Sequence, residues 1–254
     1  MPRTARTSNR IRTRSRLTAA LERTAVREFA SVIRQGGETI ASLVAHGKAW
    51  QTGIDRLGDA LEKTMISALR RGAIAGAESV KREVPRVERK AGPQPGYVDA
   101  FTLSWIRRHS VRQVSRIRKT TAKAIRAQII NGAKKGLSAA QIAANIRKAT
   151  SGRIGATRAA RIARTETHTA FERGSYEQAK EIVRLGIEIT AEWGATEDQR
   201  TRPDHAAADG QTVDIGKTFT VGGEAMRFPG DPRASARQVV NCRCTALYYP
   251  KGTR

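Results

Sequence analysis

Apolar side chains recur every three to four residues over the first third of the chain, a period typical of amphipathic helices. The first stripe begins at Leu17, and the Gly36-Gly37 pair is expected to end it. Two further helices are predicted over 39–48 and 52–80. Isolated amphipathic helices are unstable in water, so these segments are expected to pack on one another or on a partner.

Proline and glycine concentrate in residues 84–96 and predict a linker. The helical period resumes over 97–130 and stops at Asn131-Gly132. Ser138 followed by Gln141 has the spacing of a capping box, which predicts a new helix start there. Glycines near residue 152 separate that helix from a last long one over about 157–185.

After Gly186 the apolar period falls to two residues, which predicts a strand over 187–193. Short strand-like segments follow at 212–214, 219–221 and 245–249 among glycine- and proline-rich loops. The expected fold class is α+β and predominantly helical. The predicted organisation is a basic disordered arm at 1–16, a helical N-terminal region at 17–83, a linker at 84–96, a long basic helix at 97–135 and a loop-rich C-terminal α+β module at 136–254.

Charge changes this picture, because 47 basic residues stand against 23 acidic ones and give a formal net charge of +24. No acidic residue lies between Asp99 and Glu166. Blocked positive charge favours contact with nucleic-acid phosphates, with a merely solvated surface as the alternative. The DNA-binding candidates are Arg3, Arg6, Arg10, Arg12, Arg14 and Arg16 in the arm, and Arg107, Arg108, Arg112, Arg116, Arg118, Lys119, Lys123, Arg126, Lys134 and Lys135 beyond the linker.

The two cysteines, Cys242 and Cys244, are separated by one residue. With His168 and His205 they could form a tetrahedral zinc site of two nitrogen and two sulfur ligands, so zinc is the candidate cofactor. In a regular strand the two thiols would stand about 7 Å apart, too far to share a metal without a turn. A buried thiol pair and a reactive pair are the alternatives.

The C-terminal module also contains residue types found in metal-dependent nucleases, namely Glu166, His168, Asp204, His205 and Asn241. No phosphate loop, nucleophile elbow or zinc-protease helix supports such an activity, and no catalytic residue is assigned. Structural roles are expected instead: Glu166 paired with an arginine such as Arg164, Trp193 anchoring the core below the 198–203 loop, and Asp204 within that module.

A series of motifs in the second half of the chain resembles the phage Mu protein F-like family of minor head, or head morphogenesis, proteins of tailed phages. The resemblance covers about residues 137–249, and the motifs are ARIARTETH at 160–168, Trp193, DQRTRPDH at 198–205, DGQ at 209–211, PGDP at 229–232 and NCRC at 241–244. Where family members often carry further Cys or His, this chain has Arg202-Pro203 and Val239-Val240, and so offers fewer metal ligands.

The resemblance implies a virion protein that associates with the portal or the inner capsid and acts in assembly or genome delivery. We expect it to be non-enzymatic, because the sequence contains no recognised catalytic motif. The expected partners are the portal protein, the major capsid protein and double-stranded DNA bound without sequence preference, with no membrane partner and no small-molecule substrate. The expected location is the capsid interior or portal vertex, after synthesis in the host cytoplasm. A nuclease or toxin-like enzyme and an assembly factor without DNA binding are the alternative functions.

Overall fold

The computed structural model describes residues 4–84, 100–151 and 153–252. Long helices dominate it and a small antiparallel sheet lies near the C-terminus, so the predominantly helical α+β class is confirmed. The helices are α1 (Ala5–Ala45), α2 (Gln51–Glu83), α3 (Ala100–Lys134), α4 (Ala139–Ser151), α5 (Arg153–Arg184), α6 (Pro203–Ala207) and α7 (Ala236–Val239).

Five strands follow the long helices: β1 (Ile189–Gly194), β2 (Thr212–Asp214), β3 (Phe219–Val221), β4 (Glu224–Met226) and β5 (Thr245–Pro250). The antiparallel sheet has the order β2-β1-β5, with Ala191 opposite both Val213 and Tyr248. Strands β3 and β4 form a separate hairpin. The sequence predicts β2 and β3 with these bounds, because both contain β-branched or aromatic residues. It misses β4, whose Glu-Ala-Met sequence contains none, and the helices α6 and α7, which span only five and four residues.

Two predictions are wrong over the described residues: the disordered arm at 1–16 and the helix break at Gly36-Gly37. Helix α1 runs without interruption from Ala5 to Ala45. The arm is helical because its residues pack against other elements: Ile11 and Arg14 are buried. The glycines serve close packing. A Cβ atom at Gly36 would lie 2.6 Å from the Leu57 side chain, and one at Gly37 would lie 2.0 Å from the Thr150 hydroxyl oxygen.

The start of α4 confirms the predicted capping box. The Gln141 backbone N–H donates to Ser138 Oγ at 3.3 Å, and the Ser138 backbone N–H donates to Gln141 Oε1 at 2.8 Å. Two N–H groups that the helix leaves unpaired are thereby satisfied. The predicted linker at 84–96 lies outside the described residues except for Val84, which is buried.

The chain divides into two compact units that the linear ranges of the sequence do not anticipate. The first takes its residues from 1–22, 69–103 and 164–254, and the second from 23–68 and 104–163. The core of the first surrounds Trp193, Phe219 and Tyr248. The second buries Phe29, Ile40, Leu61, Met65, Trp105 and Ile125. Periodicity shows which face of a helix is buried but not which element covers it. Units assembled from separate ranges of the chain therefore cannot be predicted from the sequence pattern.

Within the first unit a buried cation, Arg14, connects α1 to three other elements. Its guanidinium donates to Thr245 Oγ1 at 2.7 Å and to Ser175 Oγ at 2.6 Å. It also forms ion pairs with Glu83 at 3.2 Å and Glu172 at 3.6 Å. The side chain is 1% exposed, so the carboxylates compensate a charge that would otherwise be costly to bury.

Candidate functional site

The structure brings together three of the four residues predicted as metal ligands. His205, Cys242 and Cys244 are all buried, and their ligand atoms lie within 4.8 Å of one another. The distance from His205 Nδ1 is 3.3 Å to Cys244 Sγ and 3.6 Å to Cys242 Sγ. The described residues offer no other group of three or more His, Cys, Asp or Glu side chains at such distances.

The backbone around the cysteines explains how two thiols one residue apart can meet. Strand β5 begins only at Thr245, so both cysteines precede it in irregular backbone that follows a turn at Val240 and Asn241. Asn241 has φ of 58°, in the left-handed region that asparagine tolerates better than most residues. The separation of about 7 Å expected for a regular strand therefore does not apply.

His205 is held with a defined ring nitrogen towards the sulfurs. Its Nε2 lies 3.0 Å from Gln238 Oε1, an acceptor, so Nε2 carries the proton and donates it to the amide. Gln238 is itself oriented, because its amide nitrogen donates to Asp204 Oδ2 at 3.1 Å. The unprotonated Nδ1 therefore faces both thiols. Nothing in the sequence pattern singles out Gln238, which lies on the four-residue helix α7 and is 1% exposed.

His168 lies outside this group. Its Nε2 donates to the backbone carbonyl oxygen of Cys244 at 2.8 Å, while its buried Nδ1 has no hydrogen-bond partner. Burial lowers the pKa of His168 to about 4, with smaller contributions from Arg14 and His205, so the ring is neutral at physiological pH. His168 thus supports the backbone beside the three ligand candidates and does not join them.

The proximity of the two thiols shifts their pKa values in opposite directions. A hydrogen bond from the Cys242 thiol lowers the pKa of Cys244 to about 5, against the opposing effect of burial. The same bond, together with burial, raises the pKa of Cys242. One negative charge at Cys244 is therefore readily accommodated, whereas a second at Cys242 calls for a cation nearby.

A small cleft borders the three residues on the side of Cys242. Its lining residues come from α1, from α5, from the loop after β1 and from the segment before β5: Ser15, Thr18, Ala19, Glu22, Arg164, His168, Thr196, Cys242 and Arg243. Both arginines have carboxylate partners. Arg164 pairs with Glu22 at 2.8 Å, and Arg243 pairs with Asp198.

The residues predicted to have structural roles lie around the same site. Trp193 is fully buried and packs edge-on against the His205 ring, with ring centroids 5.6 Å apart. Asp204 accepts hydrogen bonds from Gln238 and Arg237. Glu166 is buried, and its pairing with an arginine stays a prediction. Arg164 takes Glu22 as its carboxylate partner.

The predicted DNA-binding residues separate into buried and exposed sets. Arg14 is a correction, since its guanidinium is enclosed by protein. Arg10 pairs with Glu83 at 2.7 Å, and Arg118 pairs with Asp55. Those carboxylates lie far away in sequence, so the acid-free run is partly compensated in space. Arg3 lies outside the described residues. The candidates exposed to solvent are Arg6, Arg12, Arg16, Arg107, Arg108, Arg112, Arg116, Lys119, Lys123, Arg126, Lys134 and Lys135.

Six of the exposed residues form a single row along α3, here called the basic stripe. They recur at steps of three and four residues, which places them on one helix face. The row spans about 27 Å at 1.5 Å per residue. Among the described residues no carboxylate lies within ion-pair distance of the stripe, whose members are Arg108, Arg112, Arg116, Lys119, Lys123 and Arg126.

Comparison with known proteins agrees with the motif-based resemblance, which is confirmed. Residues 123–247 match the model of the family described as Phage Mu protein F like protein. A stretch of 144 residues, 56% of this chain, is 37% identical to "NAD(+)--arginine ADP-ribosyltransferase EFV" of Enterococcus faecalis (strain ATCC 700802 / V583). That stretch spans 28% of the Enterococcus protein. No solved structure matches the chain. None of the described helices is long and apolar enough to cross a membrane.

Proposed function

We propose, from the Phage Mu protein F like region that this chain carries at residues 123–247, that it is a minor head protein of a tailed phage. The family match indicates a phage head morphogenesis protein. The proposal adds that the protein is a non-enzymatic virion component, located on the inner capsid or at the portal vertex. There it binds packaged double-stranded DNA without sequence preference and contacts the portal protein or the major capsid protein.

The basic stripe carries the DNA-binding part of the proposal. Six cations on one face of α3, without a carboxylate in ion-pair distance among the described residues, would repel one another unless an anion were near. Duplex DNA presents two phosphate charges per base pair, about one per 1.7 Å of its axis, so a row about 27 Å long meets many of them. Phosphate contacts position a protein on DNA but carry no sequence information.

Salt dependence of DNA binding by the purified full chain tests this proposal. The logarithm of the association constant should fall linearly with the logarithm of salt concentration, because bound cations release counterions. Replacing Arg112, Arg116 and Lys119 with alanine should reduce the steepness of that slope by about 3, roughly 1 per lost phosphate contact. Affinity should fall equally for unrelated DNA sequences.

A matched control removes the same number of charges elsewhere. Lys48, Lys63 and Lys217 are exposed and lie outside the basic stripe, and their replacement with alanine should leave the slope within the error of the unaltered protein. Equal effects of the two triple variants would show that DNA binds to positive charge spread over the surface and not preferentially to the basic stripe. No binding at low salt would contradict the DNA-binding claim and favour a purely structural assembly factor.

The named Enterococcus relative raises an enzymatic alternative. Its name states an ADP-ribosyltransferase activity, yet the shared stretch spans 28% of that protein, so the proposal here remains non-enzymatic. The nuclease alternative is also disfavoured, because the carboxylate of Asp204 is engaged by Arg237 and Gln238. Plasmid incubated with the protein and Mg²⁺, Mn²⁺ or Zn²⁺ should remain intact. Cleavage that is lost on replacing His168 or His205 would reverse this ranking.

A further inference from the structure

We propose that His205, Cys242 and Cys244 bind one zinc ion, with His205 ligating through Nδ1. The first support is the donor set. One imidazole nitrogen and two thiol sulfurs are all buried and converge within 4.8 Å. Nitrogen and sulfur donors select zinc over magnesium or calcium, which require oxygen ligands.

The distances fit a tetrahedral ion. Zinc–sulfur and zinc–nitrogen bonds of about 2.3 and 2.05 Å place neighbouring sulfur and nitrogen ligands roughly 3.6 Å apart. The observed separations between His205 Nδ1 and the sulfurs are 3.3 Å for Cys244 and 3.6 Å for Cys242. These two separations match ligands of one shared ion, and the two sulfurs lie within 4.8 Å of each other.

The hydrogen bonds behind His205 prepare it as a ligand. Because Nε2–H donates to Gln238 Oε1 at 3.0 Å, the lone pair of Nδ1 points away from the amide and towards the sulfurs. The Gln238 amide is fixed in turn by Asp204 at 3.1 Å. Metal-binding histidines commonly donate the second ring N–H to such a partner, which fixes the tautomer and the ring orientation.

A catalytic thiol explains these features less well. A Cys–His nucleophile needs one sulfur next to the imidazole, whereas here both sulfurs contact the same nitrogen and both side chains are buried. Zinc accounts for both sulfurs, because each binds as a thiolate. Any proton that a sulfur still carries passes to solvent when the ion enters, and the neutral imidazole supplies its lone pair.

The ion would fasten helix α6 to the segment that precedes β5, both within the first unit. His205 lies on α6, while both cysteines immediately precede β5. Both segments lie in the loop-rich part of the chain, where regular hydrogen bonding is sparse. A bound metal stabilises the folded state by its binding free energy, because the ligands are dispersed in the unfolded chain.

Metal analysis of the full chain, expressed without a histidine tag and purified without chelators, tests the proposal. The expected result is one zinc per chain by elemental mass spectrometry and a lower melting temperature after chelation. Cobalt substitution should produce thiolate-to-cobalt charge-transfer absorption. Metal well below one per chain even after zinc is added back, or a Cys242–Cys244 disulfide in the protein as isolated, would overturn it.

Variants assign the ligands and guard against misfolding. Cys242→Ser, Cys244→Ser and His205→Ala should each lose the ion, whereas His46→Ala, a change at an exposed histidine on the surface, should retain it. Gln238→Ala keeps every ligand and should weaken zinc affinity by roughly 10- to 100-fold. If His168→Ala abolishes binding while circular dichroism shows an intact fold, the assigned ligand set is wrong. An unchanged affinity in Gln238→Ala would contradict the orienting role of the amide.

Discussion

Arg14 shows how much of this molecule is decided by single side chains. The residue belongs to a stretch of arginines without acidic neighbours in sequence, which is why an exposed arm is the natural expectation. In the structure its guanidinium contacts Thr245, Ser175 and two carboxylates, and it lies 4.8 Å from the centroid of the Phe171 ring. Charge composition cannot reveal this, because the carboxylates are Glu83 and Glu172, far along the chain.

Replacing Arg14 with methionine should destabilise the protein by about 3–5 kcal/mol, because the change leaves the buried carboxylate of Glu172 without its cation, while Glu83 keeps Arg10. Thermal or denaturant unfolding of the full chain measures this. Arg12→Met is the matched control, since Arg12 is exposed two residues away, and it should change the free energy of unfolding by less than about 0.5 kcal/mol. Similar small effects of both changes would show that the Arg14 cluster contributes little.

The candidate metal ligands were partly accessible to residue-level reasoning. Cys242, Cys244, His205 and His168 are chemically conspicuous, and the sequence offers a zinc site that joins them as one of three alternatives. The structure removes His168 from that set, because its Nε2 is engaged by the Cys244 carbonyl at 2.8 Å. Gln238 could not be found in this way, since a buried glutamine has no sequence signature until its partners are known.

At the scale of elements, helices α2 and α5 also contain residues whose role depends on partners that the sequence does not reveal. Their apolar period predicts both helices, but glycine within a helix is ambiguous, because it can mark a break or a close approach. The structure decides for close approach. A Cβ atom at Gly76 would lie 1.9 Å from the Phe171 carbonyl oxygen, and one at Gly174 would lie 2.0 Å from that of Ala73. Signals confined to neighbouring residues are read more reliably, as the capping box of Ser138 and Gln141 shows.

The substitution Gly76→Ala should therefore destabilise the protein by about 1–3 kcal/mol, because the added methyl forces two helix backbones apart. Helix propensity alone would have the opposite effect, because alanine is roughly 1 kcal/mol more favourable than glycine inside a helix. The control is Gly58→Ala in the same helix, which should have a clearly higher free energy of unfolding than Gly76→Ala. The methyl at residue 58 would meet the Arg118 side chain, which can move. A stabilising Gly76→Ala would contradict this description of the helix contact.

At the scale of the whole molecule, the fold determines how much of the net charge of +24 is exposed to solvent. Some of the positive charge is internal, as at Arg14, or paired, as at Arg118 and Asp55. What remains exposed includes the basic stripe of α3, all of it within the second unit. The sequence predicts the excess and its sign, but only the helix geometry shows that six of these residues lie on one face.

The most direct test of the proposed function is photo-cross-linking within purified phage particles that contain this protein. Mass spectrometry should detect the chain in DNA-filled heads, and cross-links to DNA should map to α3 around Arg112, Arg116 and Lys119. Heads assembled without DNA should retain the chain but lack those cross-links. Absence of the chain from purified particles, or its presence without any DNA cross-link on α3, would contradict the account.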